Sequence, residues 1–172
     1  MYRLESFNKK GALVTNTEFL YNSTFLAANV EEAEYIVICL NRDVLLRQLA
    51  IHRYAVEIGG LELTNGLRML TDRDNRGTFK ECYQDMKNGL IPDTDWKGVG
   101  IWKTVDLAEM EGMAKALSAH VRGCYRGEFA VATAISAAAT IQATEEIDIE
   151  GQFNEAYQKA FNEVMTPEQA AE

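Results

Sequence analysis

Residues 120–139 read HVRGCYRGEFAVATAISAAA, and within them His120, Cys124 and Glu128 recur at intervals of four. On a helix that interval sets the three side chains in one row along one face. Imidazole, thiolate and carboxylate are all zinc ligands, so the row offers three donors at workable spacing. His120 and Cys124 together also resemble a base and its nucleophile. Neither chemistry is complete. The chain has no second donor cluster, so a closed metal site would have to form between subunits. A Cys–His pair on one unbroken helix has neither a pocket nor oxyanion donors.

The residues around the row give a different account of it. Steps of three and four from Leu107 land on Met110, Ala114, Leu117, Val121, Cys124, Glu128, Val131, Ile135, Ala138 and Gln142, nearly all apolar. That alternation is the seam of a coiled coil or helical hairpin. Cys124 then reads as a small core residue, and Glu128 as a polar interruption that fixes register or oligomer state. His120 sits one position off the seam. The row is packing, and Leu117, Val121, Cys124, Glu128, Val131, Ile135 and Ala138 are the expected interface with a second copy or a partner. No catalytic, cofactor-binding or metal-ligating residue is assigned, and the chain is not expected to be an enzyme.

Other constellations are weaker. Asp72, Asp74 and Asn75 beside Arg73 and Arg76 lack the glycine and distal glutamate of a calcium loop and read as a helix-capping turn. Asp93 and Asp95 invite comparison with paired glycosidase carboxylates but lie in a proline-containing connector. Gly98-Val99-Gly100 lacks the rest of a phosphate-binding fingerprint. Trp96, Gly98, Gly100 and Trp102 would share one face of a strand, with core or interface packing as the default.

The elements that position these residues are mixed. Tyr2 to Phe7 alternates, Asn8 to Gly11 is a turn, and Ala12 to Thr15 returns as a partner strand. Tyr35 to Leu40 (YIVICL) is a continuous apolar run and is predicted to be a covered strand, after a loop with a short helical turn. A helix follows from about Asp43 to Ile58, with Val44, Leu45, Leu49, Tyr54 and Ile58 on its apolar face and Gly59-Gly60 as its stop. Asn65-Gly66 within LELTNGLRML marks a two-residue type I′ hairpin turn. Next come a capped helix carrying Phe79, Cys82, Tyr83 and Met86, a connector from Leu90 to Asp95, and one strand over WKGVGIWKTV.

Asp106 to Glu109 forms a capping box for a helix that nothing interrupts until about Ile147, roughly 40 residues and on the order of 60 Å long. Gly123 and Gly127, each costing about 1 kcal/mol against alanine, mark where it could bend. A return helix over about 152–165 carries Phe153, Tyr157, Phe161 and Val164. The fold class is α+β, with a small N-terminal β-rich docking module over 1–41. A mixed domain over 42–172 contains a β-hairpin and ends in the long helix (about 106–147) and the return helix. So long a helix needs more cover than one return helix supplies, which predicts a homo-oligomer or a bound partner.

The 172 residues hold 26 acidic and 17 basic side chains, a net charge of −9. That argues against nucleic acid or an anionic membrane as partner. Three cysteines without CxxC spacing give no disulfide framework or zinc ribbon. The first residues lack the apolar core of a signal peptide, no run reaches the length of a membrane span, and the sequon Asn22-Ser23-Thr24 has meaning only after secretion. A soluble protein made in the cytosol is expected.

From about Leu49 to Ala139 the order of pieces resembles a small phage domain of unknown function found in or beside tail-fibre and baseplate proteins. The pieces are HRYAVEIGG, a short hairpin running into TDRDNRGTF, then WKTVDLAEMEGMAKALSAHV, CYRGE and an alanine-rich helix. The resemblance implies a role in the virion or its assembly near the tail tip, with no catalytic residue to carry over. The helix GQFNEAYQKAFNEVM lies beyond the usual end of that pattern, and the first forty residues match none of it. The expected function is a non-enzymatic structural protein at the baseplate or tail-fibre attachment, made in the host cytoplasm and carried in the virion. Its expected partners are other tail proteins and further copies of itself. A tail-fibre assembly chaperone is the alternative, and a tail-tip hydrolase a remote one.

Overall fold

The computed structural model describes residues 1–17, 22–64 and 66–166. The chain is α+β and divides into two compact units, each made of two separate stretches.

The first unit takes Met1–Ile51 and Phe129–Gln152. Its sheet is antiparallel in the order β1 (Tyr2–Asn8), β2 (Gly11–Asn16), β3 (Asn22–Phe25), with Leu4 opposite Val14 and Val14 opposite Ser23. The first two strands stand where alternation puts them. Ala12 and Val14 pack on Ala33 and Val37 of α1 (Val30–Ile58) to form this unit's core.

Tyr35 to Leu40 is not a strand. It lies inside α1, which begins thirteen residues before the expected Asp43. Two features decide this. The Asn29 side chain caps the helix by accepting from the Glu32 N–H at 2.8 Å, while the Glu32 carboxylate accepts from the N–H of Ala28, the residue before the cap. From there Ala33, Val37, Asn41, Leu45 and Leu49 follow in steps of four, and all are buried. A six-residue apolar run has no period of its own, and the stripe on both sides of it sets the helix. The boundary expected after residue 41 therefore falls inside α1, and Tyr54 and Ile58, assigned to its apolar face, are exposed. Buried Asn41 joins three elements: its amide N–H donates to Tyr2 O and Thr144 Oγ1, and its carbonyl accepts from Tyr2 N.

The long helix also differs from expectation. α3 spans Leu107–Ala137 and stops about ten residues early, followed by α4 (Ile141–Glu145) and α5 (Ile149–Met165). Thr140 causes the break. It adopts extended backbone, and its hydroxyl accepts from Ala143 N at 3.0 Å as the cap of a new helix. The Ala138 carbonyl is taken by Arg42 Nη2 at 3.1 Å. The alanines before it bury too little side chain to hold the older helix past that cap.

The second unit takes His52–Glu128 and Phe153–Glu172, described here to Thr166. Its core gathers Leu67, Met69, Phe79, Trp96, Val105 and Met110 from strands and helices on both sides of α2 (Arg73–Lys87). Asp72 caps α2 as read, accepting from Asp74 and Asn75 N–H. β4 (Leu61–Glu62) and β5 (Arg68–Met69) form the expected hairpin. Asn65 lies outside the described residues. The Leu63 N–H bonds to Leu67 O and the Gly66 N–H to Leu63 O, each at 3.0 Å. The type I′ turn assigned to Asn65-Gly66 therefore falls in part outside the described residues, and Gly66 itself has φ 79°.

WKGVGIWKTV is a hairpin and not one strand: β6 (Asp93–Lys97) pairs with β7 (Trp102–Asp106). The two tryptophans consequently part. Trp96 meets Phe79 edge-on at 5.3 Å in the core, while Trp102 is exposed beneath Lys97. At the head of α3 Asp106 accepts from Glu109 N at 2.9 Å, but the Glu109 carboxylate pairs with Lys103 and does not reach back. α3 continues through Gly123 and Gly127. A Cβ at Gly123 would lie 2.7 Å from the Tyr157 ring, and one at Gly127 2.8 Å from the Phe153 ring. The glycines let α5 approach closely.

Candidate functional site

The second unit holds a buried polar cluster around Glu57, in the last turn of α1. Its carboxylate receives Arg53, one turn earlier on the same helix, and Arg76 of α2 at 2.8 Å. Only 6% of the Glu57 side chain is exposed, so two guanidiniums share one dehydrated carboxylate. Arg53 also reaches Glu128 at 3.4 Å and lies over the Tyr125 ring, 5.4 Å from its centroid. The Glu57 main-chain carbonyl accepts from the Thr71 hydroxyl at 2.6 Å and faces His120 Nε2 at 3.1 Å.

A carbonyl only accepts, so Nε2 of His120 carries the proton. In the neutral ring Nδ1 is then an acceptor, and the Tyr157 hydroxyl donates to it across 2.8 Å. Burial lowers the His120 pKa and outweighs the contacts with Glu57 that raise it, which agrees with a neutral ring. Burial likewise pushes the Cys124 thiol and the Tyr157 phenol each up to about 12. Cys124 Sγ stands 4.0 Å from His120 Nε2, but a protonated thiol beside a ring nitrogen already donating elsewhere is not an activated nucleophile.

The row that began the sequence reading is therefore split by its surroundings. His120 and Cys124 are interior, and Glu128 is half-buried on Arg53. Among the described residues no three His, Cys, Asp or Glu side chains converge as a metal site. Of the seven residues expected to face a second copy or partner, Leu117, Cys124, Val131, Ile135 and Ala138 are buried within this chain, and Val121 and Glu128 are half-buried. The chain's own elements cover most of the seam, while Leu117 and Val121 also line a groove between α2 and α3.

The remaining candidates have structural occupations. Hydrogen bonds from Asn75 hold the Asp72 carboxyl below the usual carboxylate range. Asp95 accepts from the Thr104 hydroxyl across the β6–β7 hairpin at 2.6 Å, and Asp93 is exposed at its end. Gly98 sits against Leu67, with Val99 N bonded to Arg68 O at 2.9 Å, so this loop packs on β5.

The sequence reading missed Glu57, Arg53, Arg76 and Tyr157. A signal for two of them was present: the steps of four from Ala33 to Leu49 continue to Arg53 and then Glu57, placing charges on a buried stripe. Such charges must be paired.

Among the described residues no helix is long and apolar enough to cross a membrane. No curated protein and no solved structure matches the chain. A family profile does match, over residues 41–151, from the middle of α1 to the start of α5 and so across the whole Glu57 cluster except Tyr157. The chain belongs to the family described as domain of unknown function DUF4376.

Proposed function

We propose that this chain is a non-enzymatic structural protein of a tailed phage, placed at the baseplate or tail-fibre attachment, where it holds neighbouring tail proteins together. The outward face of α1 carries the reading. Ile51, Tyr54 and Ile58 stand at i, i+3 and i+7 on one side of the helix, with Ile51 71% and Tyr54 57% exposed. An apolar helical stripe of this kind suits a protein groove. The Glu57 cluster supports the same reading, because Arg53, Arg76, His120 and Tyr157 are engaged with one another or with Glu57 and hold α1, α2, α3 and α5 together.

The tail location rests on the ordered pieces HRYAVEIGG, TDRDNRGTF and CYRGE, and the net charge of −9 favours protein over nucleic acid or anionic lipid as neighbour. Quantitative mass spectrometry of purified virions tests it. A fixed copy number per particle supports a structural component. Absence from virions, together with recovery on free fibres in infected cells, replaces it with the assembly chaperone.

A further inference from the structure

The second unit carries a groove of about 640 Å³ between α2 and α3. Phe79, Leu117 and Val121 line its apolar floor, and Arg76, Lys80 and Arg122 its rim. Among the described residues no acidic side chain lines it, in a chain whose acids outnumber its bases by nine. Arg76 and Arg122 already hold Glu57 and Glu163, yet each guanidinium keeps further donors. Lys80 is exposed and has no ion-pair partner among the described residues. The groove therefore presents an apolar floor under one unpaired ammonium and the remaining guanidinium N–H donors, which together select an apolar segment carrying carboxylates.

The first unit displays such a segment. At the start of α1, Val30 and Glu34 form one i,i+4 pair, and Glu31 and Tyr35 the adjoining one. All four are exposed, Val30 at 47% and Tyr35 at 60%, and neither glutamate has an ion-pair partner among the described residues. We infer that the α2–α3 groove of one copy receives the Val30–Tyr35 face of a second copy, with Glu31 and Glu34 against Lys80 and the rim guanidiniums. Two such contacts can close a pair, or one can repeat around a ring. This inference stands apart from the tail assignment, since purified protein alone tests it.

The experiment is light scattering on the full chain across the micromolar range, with Lys80→Glu, with Glu31→Lys/Glu34→Lys, and with the two variants mixed. The altered positions are exposed, and circular dichroism verifies that each variant folds. The wild type is expected to rise above 19.3 kDa with concentration and to fall back as salt is added. Each variant alone should associate more than about tenfold more weakly, because like charges then face each other. The mixture should recover assembly, because each variant supplies the charge the other lacks. A wild type that stays at 19.3 kDa overturns the inference, as does a Lys80→Glu protein that assembles normally or a mixture that stays monomeric.

Discussion

The Tyr157 hydroxyl donates to Nδ1 of His120 across 2.8 Å and so joins α5 to α3 inside the second unit. The same ring is held from the other side by the Glu57 carbonyl at 3.1 Å. Removing the hydroxyl alone leaves a buried acceptor without a donor. Tyr157→Phe should therefore lower stability by about 1–2 kcal/mol, read as a shift in urea midpoint at unchanged slope.

The same ring makes stability depend on pH. An unfolded histidine ionises near 6.5, and folded His120 ionises lower because burial disfavours its charge. Between the two values the unfolded chain holds a proton that the folded chain does not. The stability due to the neutral ring is fully present above about 6.5, declines as pH falls towards the folded value, and levels off below it. Urea midpoints from pH 7.5 to 5.5 should fall for the wild type and fall less for His120→Gln. Equal slopes in the two proteins would show that His120 contributes none of the dependence.

Glu57 lies between two guanidiniums, and removing it would strand Arg76 and leave Arg53 with Glu128 alone. Glu57→Ala should cost roughly 3 kcal/mol or more, with Glu57→Gln milder because it can still accept from one arginine. Thermal unfolding of both variants checks the order.

Glycines on α3 should respond to alanine with opposite signs. At Gly127 a methyl would meet the Phe153 ring at 2.8 Å and its carbonyl oxygen at 2.9 Å, so Gly127→Ala is expected to destabilise by about 1–3 kcal/mol. At Gly112 nothing lies within 4 Å, and Gly112→Ala should stabilise by roughly 0.5–1 kcal/mol. Equal effects from the two would refute the close approach of α5.

The Cys124 thiol, fully buried and pushed up to about 12, should resist an aromatic disulfide reagent at pH 8 in the folded protein. Cys39 and Cys82 are partly accessible and should react first. All three should react in denaturant.

Local signals were strongest where two of them coincided. The β1–β2 pair has alternation and a turn, and α2 has a cap and an apolar face; both stand as read. YIVICL had only composition, which a buried strand and a buried helix share, and the capping pair Asn29–Glu32 was the feature that distinguished them. The alternating stripe along α3 was legible, but its occupant was not. Spacing shows that a face is buried, not which chain buries it. Glu57 escaped for a related reason, because its worth depends on Arg76 arriving from another element and on a carbonyl that no sequence pattern marks.

The interleaving of the two units governs how the chain can be made. A ribosome delivers residues 1–51 well before Phe129–Gln152, the other part of their unit, and buried Asn41 waits for Thr144, 103 positions later. Everything from His52 to Glu128 emerges in between and must stay clear of the waiting apolar face of α1. Closing so long a loop is slow, so residues 1–51 stay without the rest of their core while His52 to Glu128 are made, open to whatever binds unfinished chains.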